Sequence, residues 1–450
     1  MVRVASNRLA HLLLAAHGAF AGLTVDVENA DSIKAAAALV AEDLMSFYDG
    51  EEPGNVPGLL PAYPDDNKPT YYWWTGGALW GALLDYRSRS ANNKYDQSIS
   101  KGLLFQVGPN DNYLPMNWTN QIGNEDQAIW ALSALTANQT GLQEGNDEPS
   151  WISVADNVFN EQSAVERRLA DGECAGALRW MLFSFSNGYD YINTASNGAY
   201  MNLAAQLYRL TGNETYGDAA SRTWDILTRI GFVTDDFKVY DGAHAEECTS
   251  DVNKSQFSYP AALLIQSAAY MYNKTGDDDW KERLDGLLDQ TLKTFFPDGV
   301  AFEVACEEKS LCTTDMHFFK SVLHRSLAST AQIAPYTSSK ILPVLKSSAK
   351  KAVEQCTGGD NGRMCGFEWS TGKFDGKTGP AQQMGVLSAL TALMPAQGSA
   401  AGNGSGSGNG SGNGNAEGTT GGDKPGNSGA RASISLGALI GSLLLGSFLL

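Results

Sequence analysis

The central part of the chain alternates between amphipathic runs and runs that are apolar on every side. After turn-like polar stretches, an aromatic residue opens an amphipathic helical run at Tyr95, Trp151, Tyr216, Trp280 and Tyr336, with spacings of 56, 65, 64 and 56 positions. One further period towards the N-terminus leads to a helical run near Ile33. This spacing predicts six units of about 60 residues, each containing two helices.

Each unit also holds a second, more apolar run that is rich in Ala, Gly and Leu. The six runs are WWTGGALWGALLDY, NEDQAIWALSALT, SNGAYMNLAAQLYRL, FSYPAALLIQSAAYMY, FFKSVLHRSLASTAQIA and PAQQMGVLSALTALM. Because a helix that is apolar all round is buried, these runs predict an inner ring of helices, and their amphipathic partners an outer ring. We therefore predict an all-α fold, an (α/α)6 barrel of six helical hairpins over residues 22–396. An open helical superhelix is the alternative that the same repeat allows.

Both ends of the chain differ from this body. Residues 1–21 combine early arginines, an apolar run and the small-x-small triplet Ala19-Phe20-Ala21, a pattern typical of a secretory signal peptide. Residues 397–429 form a Gly/Ser/Asn-rich linker, and residues 430–450 end in an apolar tail. The tail is typical of a GPI-attachment signal, with Asn427 as the expected attachment residue, and a short membrane span is the alternative.

Composition and cysteine spacing indicate a secreted protein. The net charge of −18 argues against nucleic-acid binding, which requires basic surface. Six cysteines suggest three disulfides: the short gaps favour Cys306–Cys312 and Cys356–Cys365, which leaves Cys174–Cys248 as a longer link. The seven possible N-glycosylation sites are Asn117, Asn138, Asn213, Asn253, Asn273, Asn403 and Asn409. With five histidines and no metal-ligand spacing, we expect neither a metal nor a cofactor.

Two neighbouring carboxylates, Glu125 and Asp126, open an otherwise apolar run. As a simple helix start, Asn124 would be the N-cap and Gln127 would close a capping box. If the inner helices run parallel, however, their N-termini converge on one mouth of the barrel. That mouth would gather Tyr71, Tyr72, Trp73, Trp74, Glu125, Asp126, Asn193, Thr194, Asn197, Ser255, Gln256, Tyr259, Asp315, His317, Gln382 and Gln383. Aromatic rings, amides and a carboxylate pair suit a neutral, polyhydroxylated ligand.

Paired carboxylates are also the catalytic groups of glycoside cleavage. Adjacent side chains reach the separation of roughly 5–5.5 Å used in retaining double displacement more readily than the wider inverting separation. Mutual repulsion raises one pKa, while the helix N-terminus favours ionisation of the other group. The other acidic pairs of the chain lie mostly in polar stretches, where solvated surface is the simpler interpretation.

The body resembles the fungal GPI-anchored members of glycoside hydrolase family 76, which are α-1,6-mannanase-like cell-wall proteins. The matching stretches include YYWWTGGALWGALLDY, LLFQVGPNDNYLPMNWTNQIGNEDQAIW, GALRWMLFSFSNGYDYINTASNG, VYDGAHAEEC and QCTGGDNGRMCGFEW. The resemblance implies an (α/α)6 fold and a retaining mechanism, with Glu125 as nucleophile and Asp126 as acid/base. The substrate-binding candidates that it implies are Trp73, Trp74, Asn124, Trp130, Asn193, Asn197, Asp241, His244 and Tyr259.

The resemblance also implies a function, and it has departures. It suggests a monomer that cleaves the GPI-core mannan of wall proteins and transfers it to a β-glucan acceptor, anchored at the outer face of the plasma membrane or in the cell wall. A hydrolytic endo-α-1,6-mannosidase and a non-catalytic mannan-binding wall protein are the alternatives. Glu125 replaces the Asp more usual in the family, and we expect activity to survive with the nucleophile shifted in position. WWTGGA and FSYPAAL also depart from the family's patterns, and these departures concern the substrate subsites more than the chemistry.

Overall fold

The computed structural model describes residues 22–61, 71–116, 122–145 and 147–395. The predicted signal peptide, linker and GPI signal, with Asn427, lie outside the described residues, and so do the sequons at Asn117, Asn403 and Asn409. Within the described residues, no helix is both long enough and apolar enough to cross a membrane.

Twelve helices make up most of the described chain. The outer helices are α1 (Ala30–Met45), α3 (Asp96–Phe105), α5 (Trp151–Ser163), α7 (Glu214–Arg229), α9 (Asp278–Phe295) and α11 (Ser338–Glu354). The inner helices are α2 (Trp73–Ser90), α4 (Asn124–Gln139), α6 (Thr194–Thr211), α8 (Ser258–Thr275), α10 (Phe319–Ile333) and α12 (Pro380–Thr391). Each aromatic residue that marks the repeat lies within two positions of the start of an outer helix, so the predicted period is confirmed.

The inner ring is closed. Helices α2, α4, α6, α8, α10 and α12 each pack against the next, and α12 packs against α2. Most residues of α2, α6 and α8 and every residue of α12 are buried, as the apolar runs predict, whereas the outer helices bury one face. The fold is therefore the (α/α)6 barrel, and closure excludes the open superhelix.

Local signals in the sequence define where the helices begin and end. Asn29, Ser150, Asn213 and Asp277 cap outer helices by accepting hydrogen bonds from backbone N–H groups of the first turn. Glycines in the left-handed conformation end α6 and α8. The inner helices end, and the outer helices begin, at one end of the barrel, where the connecting turns are mostly short. The long connections, which run from an outer helix to the next inner helix, lie at the other end.

Four long connections that the structure describes throughout precede inner helices: residues 164–193 before α6, 230–257 before α8, 296–318 before α10 and 355–379 before α12. A two-stranded antiparallel sheet joins the first two, because β1 (Tyr191–Asn193) pairs with β2 (Gly242–His244). The disulfide Cys174–Cys248 links the same two connections. Cys306–Cys312 and Cys356–Cys365 close short loops, so the three disulfides are the pairs expected from the spacing.

Candidate active site

The acidic pair lies in the first turn of α4, at the end of the barrel where the inner helices begin. Asn124 is the first helical residue and Gly123 is the N-cap. Oδ2 of Asp126 accepts a hydrogen bond of 2.8 Å from the backbone N–H of Gly123. The expectation that Asn124 caps the helix and Gln127 closes the capping box is therefore wrong, since Asp126 takes the second role.

The connection before α6 explains this difference. It crosses the start of α4, where the side-chain amide of Asn124 donates to the carbonyl of Arg179 (2.8 Å) and the backbone N–H of Asn124 donates to the carbonyl of Trp180 (2.8 Å). The amide of Gln127 donates instead to the carbonyl of Asn112 (2.8 Å). Asn124 and Gln127 are fully buried and hold the helix start in place, so the two carboxyls between them face the barrel mouth.

Glu125 accepts a hydrogen bond from the hydroxyl of Ser196, in the first turn of α6. Burial raises the pKa of Glu125 to about 7, against the opposing effects of hydrogen bonds from Ser196 and Trp180. The carboxylate of Asp315 raises that pKa further. Glu125 is thus a carboxyl group that ionises near neutral pH and whose position is fixed from a second helix.

Asp126 is coupled to its neighbour. Burial raises the pKa of Asp126 well above its usual range, and the charge of Glu125 is the next largest cause. The hydrogen bond from Gly123 acts in the opposite direction. Ionisation of Glu125 therefore opposes that of Asp126, which favours a state with one proton on the pair. One charged and one protonated carboxyl are the two states that an acid and a nucleophile require.

The pair lies on the wall of a cleft with a volume of about 540 Å³. The rings of Trp74 and Tyr259 stack in it, with centroids 5.8 Å apart and planes inclined by 27°. The cleft is lined by Tyr72, Trp74, Glu125, Asp126, Trp180, Met181, Asn187, Tyr191, Asn193, Ala195, Asp241, Phe257, Tyr259, Pro260, Thr313, Asp315, Met316 and Phe319. Aromatic faces beside polar oxygen groups can bind the two kinds of surface that a sugar ring presents.

Asn193 and Asp241 flank the acidic pair. Oδ1 of Asn193 caps α6 by accepting from the backbone N–H of Ser196 (2.8 Å), which places the Ser196 hydroxyl against Glu125. Oδ2 of Asp241 accepts hydrogen bonds from the hydroxyl of Tyr191 (2.7 Å) and from Nδ2 of Asn253 (3.0 Å). Burial raises the pKa of Asp241. The second oxygen of Asp241 makes no hydrogen bond to a described residue, and Asp241 lines the cleft.

Of the substrate-binding candidates, Trp74, Asn193, Asp241 and Tyr259 line the cleft, and the other five do not. Trp73 and Trp130 stack on each other in the core, with centroids 5.1 Å apart. Asn197 uses its amide on the backbone of Leu178 and Asn193. Asn124 holds the start of α4, as described above.

His244 and His317 also lie away from the cleft lining. His244 is exposed, and its Nδ1 pairs with Asp190 at 2.8 Å. His317 packs its ring on Phe367, with centroids 4.5 Å apart, and burial lowers its pKa to about 4. His317 is therefore a neutral packing residue at neutral pH.

Several cleft residues have no counterpart among the candidates. Trp180, Met181, Asn187 and Tyr191 all come from the connection before α6, and Ser196 supports Glu125. That connection has no helical periodicity, so only its place in the stretch GALRWMLFSFSNGYDYINTASNG marks it. Among the described residues, no group of three or more His, Cys, Asp or Glu side chains could hold a metal ion.

A helical barrel with paired carboxyls in an aromatic cleft is the architecture of a glycoside hydrolase. Residues 32–403 match the model of Glycosyl hydrolase family 76. A putative mannan endo-1,6-alpha-mannosidase of Schizosaccharomyces pombe is 38% identical over 373 residues, which cover 82% of each chain. The mannan endo-1,6-alpha-mannosidase DCW1 of Saccharomyces cerevisiae is 36% identical, covering 81% of this chain and 80% of the relative.

Solved structures agree with these sequence matches. The crystal structure of Dfg5 from Chaetomium thermophilum in complex with glucosamine has a TM-score of 0.79 and 42% identity, covering 82% of this chain and 91% of that one. An inactive variant of the alpha-1,6-mannanase GH76A of Salegentibacter, in complex with alpha-1,6-mannotriose, has a TM-score of 0.64. At 16% identity, covering 80% of this chain and 98% of that one, it shares the fold. The chain belongs to glycosyl hydrolase family 76, and the protein is a glycoside hydrolase.

Proposed function

We propose that the protein is a retaining glycosidase or transglycosidase that acts on α-1,6-mannose-containing glycans. The observation that carries the proposal is the placement of Glu125 and Asp126 side by side at an inner helix start, both facing an aromatic cleft. The substrate class is supported by the names of relatives that are 36–38% identical over most of the chain. A double displacement suits two carboxyls on adjacent residues.

In the first step, Asp126 protonates the oxygen of the leaving sugar while a carboxylate oxygen of Glu125 attacks the anomeric carbon. The C–O bond breaks, and a glycosyl-enzyme ester forms on Glu125. In the second step, the ionised Asp126 removes the proton from an incoming hydroxyl, which attacks the same carbon and releases Glu125. Ser196 and Trp180 hold the Glu125 carboxylate, which is one methylene longer than the Asp more usual at this position.

The incoming hydroxyl decides between two activities. Water makes the protein a hydrolytic endo-α-1,6-mannosidase, and a sugar hydroxyl makes it a transglycosidase. We favour cleavage of the GPI-core mannan of wall proteins and transfer to cell-wall β-glucan, since the chain resembles fungal wall proteins and ends in a linker and a tail typical of a GPI anchor. Three disulfides support secretion, and hence a location at the outer face of the plasma membrane or in the wall.

The test is mass spectrometry of the secreted protein incubated with a synthetic α-1,6-mannoside that carries the GPI-core trisaccharide, with and without a β-glucan oligosaccharide. A product joined to the glucan establishes transfer. A shortened mannoside in both reactions establishes a hydrolase. Binding without turnover of any mannoside contradicts the proposal and leaves a non-catalytic mannan-binding wall protein.

A further inference from the structure

The barrel has a second polar cavity at the end opposite to the cleft. Its polar lining comes mainly from the C-terminal halves of five inner helices, including Asp85 and Arg89 of α2, Gln139 of α4, and Ser329 of α10. The volume of this chamber is about 120 Å³. The cleft, in contrast, is lined by residues at the beginnings of the inner helices. The chamber is therefore separate from the proposed active site.

Two arginines face this chamber. Arg89 is only 8% exposed, and its Nη1 donates to the carbonyl of Met394 at 2.9 Å. Nε of Arg325, on α10, donates to Oδ2 of Asp85 at 2.6 Å. A guanidinium has five N–H donors, and these bonds are the only ones that either side chain makes to described residues. Most of the donors of both arginines are thus available to a ligand in the chamber.

The guanidinium of Arg325 lies against a glycine, Gly81, of the neighbouring helix α2. A Cβ atom added at Gly81 of α2 would lie 2.5 Å from Nη2 and 2.7 Å from Nη1 of Arg325. A side chain at position 81 would therefore displace the guanidinium group from its place. Gly81 thus allows the guanidinium of Arg325 to lie directly against α2.

The charges of the chamber do not balance. Among the described residues that line it, Asp85 is the one carboxylate and faces two guanidinium groups, which leaves one positive charge. Burial lowers the pKa of Arg89, and the nearby charge of Arg325 contributes to the decrease. The remaining polar lining is neutral and consists of Ser88, Ser133, Thr136, Gln139, Thr140, Gln206, Gln266, Tyr270, Ser326, Ser329 and Gln332. A buried positive charge without a counter-ion is costly, and it is unexpected in a protein of net charge −18.

We propose that the chamber binds one small oxyanion of the phosphate class, held between Arg89 of α2 and Arg325 of α10. The planar forks of two guanidiniums match tetrahedral phosphate oxygens, and the glutamines and serines around them supply neutral donors. The bound ion connects two inner helices that flank α12 in the ring. It therefore stabilises the folded barrel, because an unfolded chain does not hold the two arginines together.

The experiment is calorimetric titration of the secreted protein with inorganic phosphate, using chloride to keep the ionic strength constant, with thermal unfolding in parallel. The expected result is saturable binding of one phosphate per chain and a midpoint of unfolding that rises with phosphate. Arg325→Gln should weaken binding by about tenfold or more, because it removes charge-assisted hydrogen bonds. Arg222→Gln, an exposed change of the same charge on α7, should leave the affinity unchanged.

A second variant covers the case in which Arg325→Gln does not fold. Ser329→Asp keeps both arginines and places a carboxylate in the chamber wall, where it should abolish phosphate binding while the circular dichroism spectrum stays native. Absence of saturable binding up to about 20 mM phosphate, an affinity far below that of specific sites, would overturn the proposal. Unchanged phosphate affinity in folded Ser329→Asp would also overturn it, because the ion would then bind elsewhere.

The same titration with glycerol 1-phosphate identifies the source of the oxyanion. Affinity equal to or above that of phosphate assigns the site to an esterified phosphate, such as a lipid headgroup. Binding of inorganic phosphate alone assigns it to a free ion. Turnover of mannosides, measured on the same samples, reports on the cleft separately.

Discussion

The indole nitrogen of Trp74 donates a hydrogen bond of 2.7 Å to Oδ1 of Asp315. This bond joins the start of α2 to the connection before α10 and orients a third carboxyl group in the cleft of Glu125 and Asp126. Burial raises the pKa of Asp315 itself. When ionised, Asp315 raises the pKa of both residues of the pair and of Tyr259. It thus influences the pH range of the reaction through charge.

We predict that Asp315→Asn shifts the pH profile of kcat/KM towards lower pH. The acidic limb reports ionisation of Glu125, whose pKa is about 7, and the basic limb reports loss of the proton of Asp126. Both pKa values should decrease when the charge at position 315 is removed, while the asparagine oxygen still accepts from Trp74. Initial rates between about pH 4 and 9 measure the shift, because this range extends to both sides of the Glu125 pKa of about 7.

Ser196→Ala is the matched control, with the opposite sign. The Ser196 hydroxyl lowers the pKa of Glu125, so its removal should move the acidic limb to higher pH. A uniform decrease in kcat/KM without a shift of either limb in Asp315→Asn would show that Asp315 contacts the substrate rather than setting the charge of the pair.

We predict that the two carboxyl residues respond differently to the leaving group. Asp126→Asn should lower kcat/KM on an α-1,6-mannan oligosaccharide by roughly 10²–10⁴, because a sugar leaving group needs a proton. The same variant should retain the rate of glycosyl-enzyme formation on a dinitrophenyl α-1,6-mannobioside, whose leaving group needs none. Glu125→Gln should lose activity on both substrates. Stopped-flow release of dinitrophenol and binding of unreactive oligosaccharide are the measurements.

Equal losses on the two substrates in Asp126→Asn would exclude an acid/base role for that residue. Exchange of the roles, with Glu125→Gln active on the dinitrophenyl substrate, would reverse the assignment of nucleophile and acid.

We predict that Glu303→Gln stabilises the protein at pH 7 and above. The carboxyl group of Glu303 is completely buried, and it accepts hydrogen bonds from the hydroxyl and the backbone N–H of Ser258 at the start of α8. Burial raises the pKa of Glu303 to about 7. Because the folded-state pKa lies above the unfolded value of 4.5, the folded state binds the proton more tightly. The stability from this group is complete below pH 4.5 and is lost as the pH rises to about 7.

The loss over this range amounts to about 3 kcal/mol for a fully buried group. Glutamine cannot ionise and can still hydrogen bond to Ser258. The unfolding free energy of the variant should therefore decrease less than that of the wild type between about pH 5 and 7.5. Urea unfolding at several pH values measures it. Glu307→Gln serves as the contrast, since it leaves the buried Lys320 without its ionic partner (2.9 Å) and should destabilise the protein wherever Glu307 is ionised. An unchanged pH slope in Glu303→Gln would contradict the prediction.

We predict a large effect from the disulfide between the cleft connections. Cys174 and Cys248 are 74 positions apart, so removal of the bond by a double change to Ala should lower the unfolding free energy by about 4 kcal/mol. The pair Cys306–Cys312, six positions apart, should cost about 2 kcal/mol. Denaturant unfolding compares the two double variants. A larger loss for the short loop would show that chain entropy does not control these contributions.

The sequence predicts the barrel well because its repeat depends on burial, which apolar runs record directly. It also predicts that the acids at 125 and 126 head an inner helix. It does not show which of Trp73 and Trp74 faces the cleft. Neighbouring helical positions point about 100° apart, and a run that is apolar all round does not indicate which side of the helix faces the core. Trp74 faces the cleft, while Trp73 donates its indole N–H to Gln106 in the core.

Residues in the long connections were harder to predict for a different reason. Trp180 and Asn187 reach the cleft by a non-periodic path that β1, β2 and a disulfide fix in three dimensions. The misplaced N-cap has the same origin, because the backbone that takes the amide of Asn124 lies 55 positions away along the chain. Tertiary contacts of this kind override the local capping preference.

Because the inner ring is closed, no helical hairpin lies at an end of the structure. The last helix, α12, packs against both α1 and α2. The first and last helices of the described body are therefore in contact, as consecutive helices of the ring are. A circularly permuted protein could have residue 395 joined to residue 22 and new termini in the turn between α8 and α9. Each helix of that protein would have the same neighbours as in the original chain. The order in which the hairpins are synthesised is therefore separable from the shape they form.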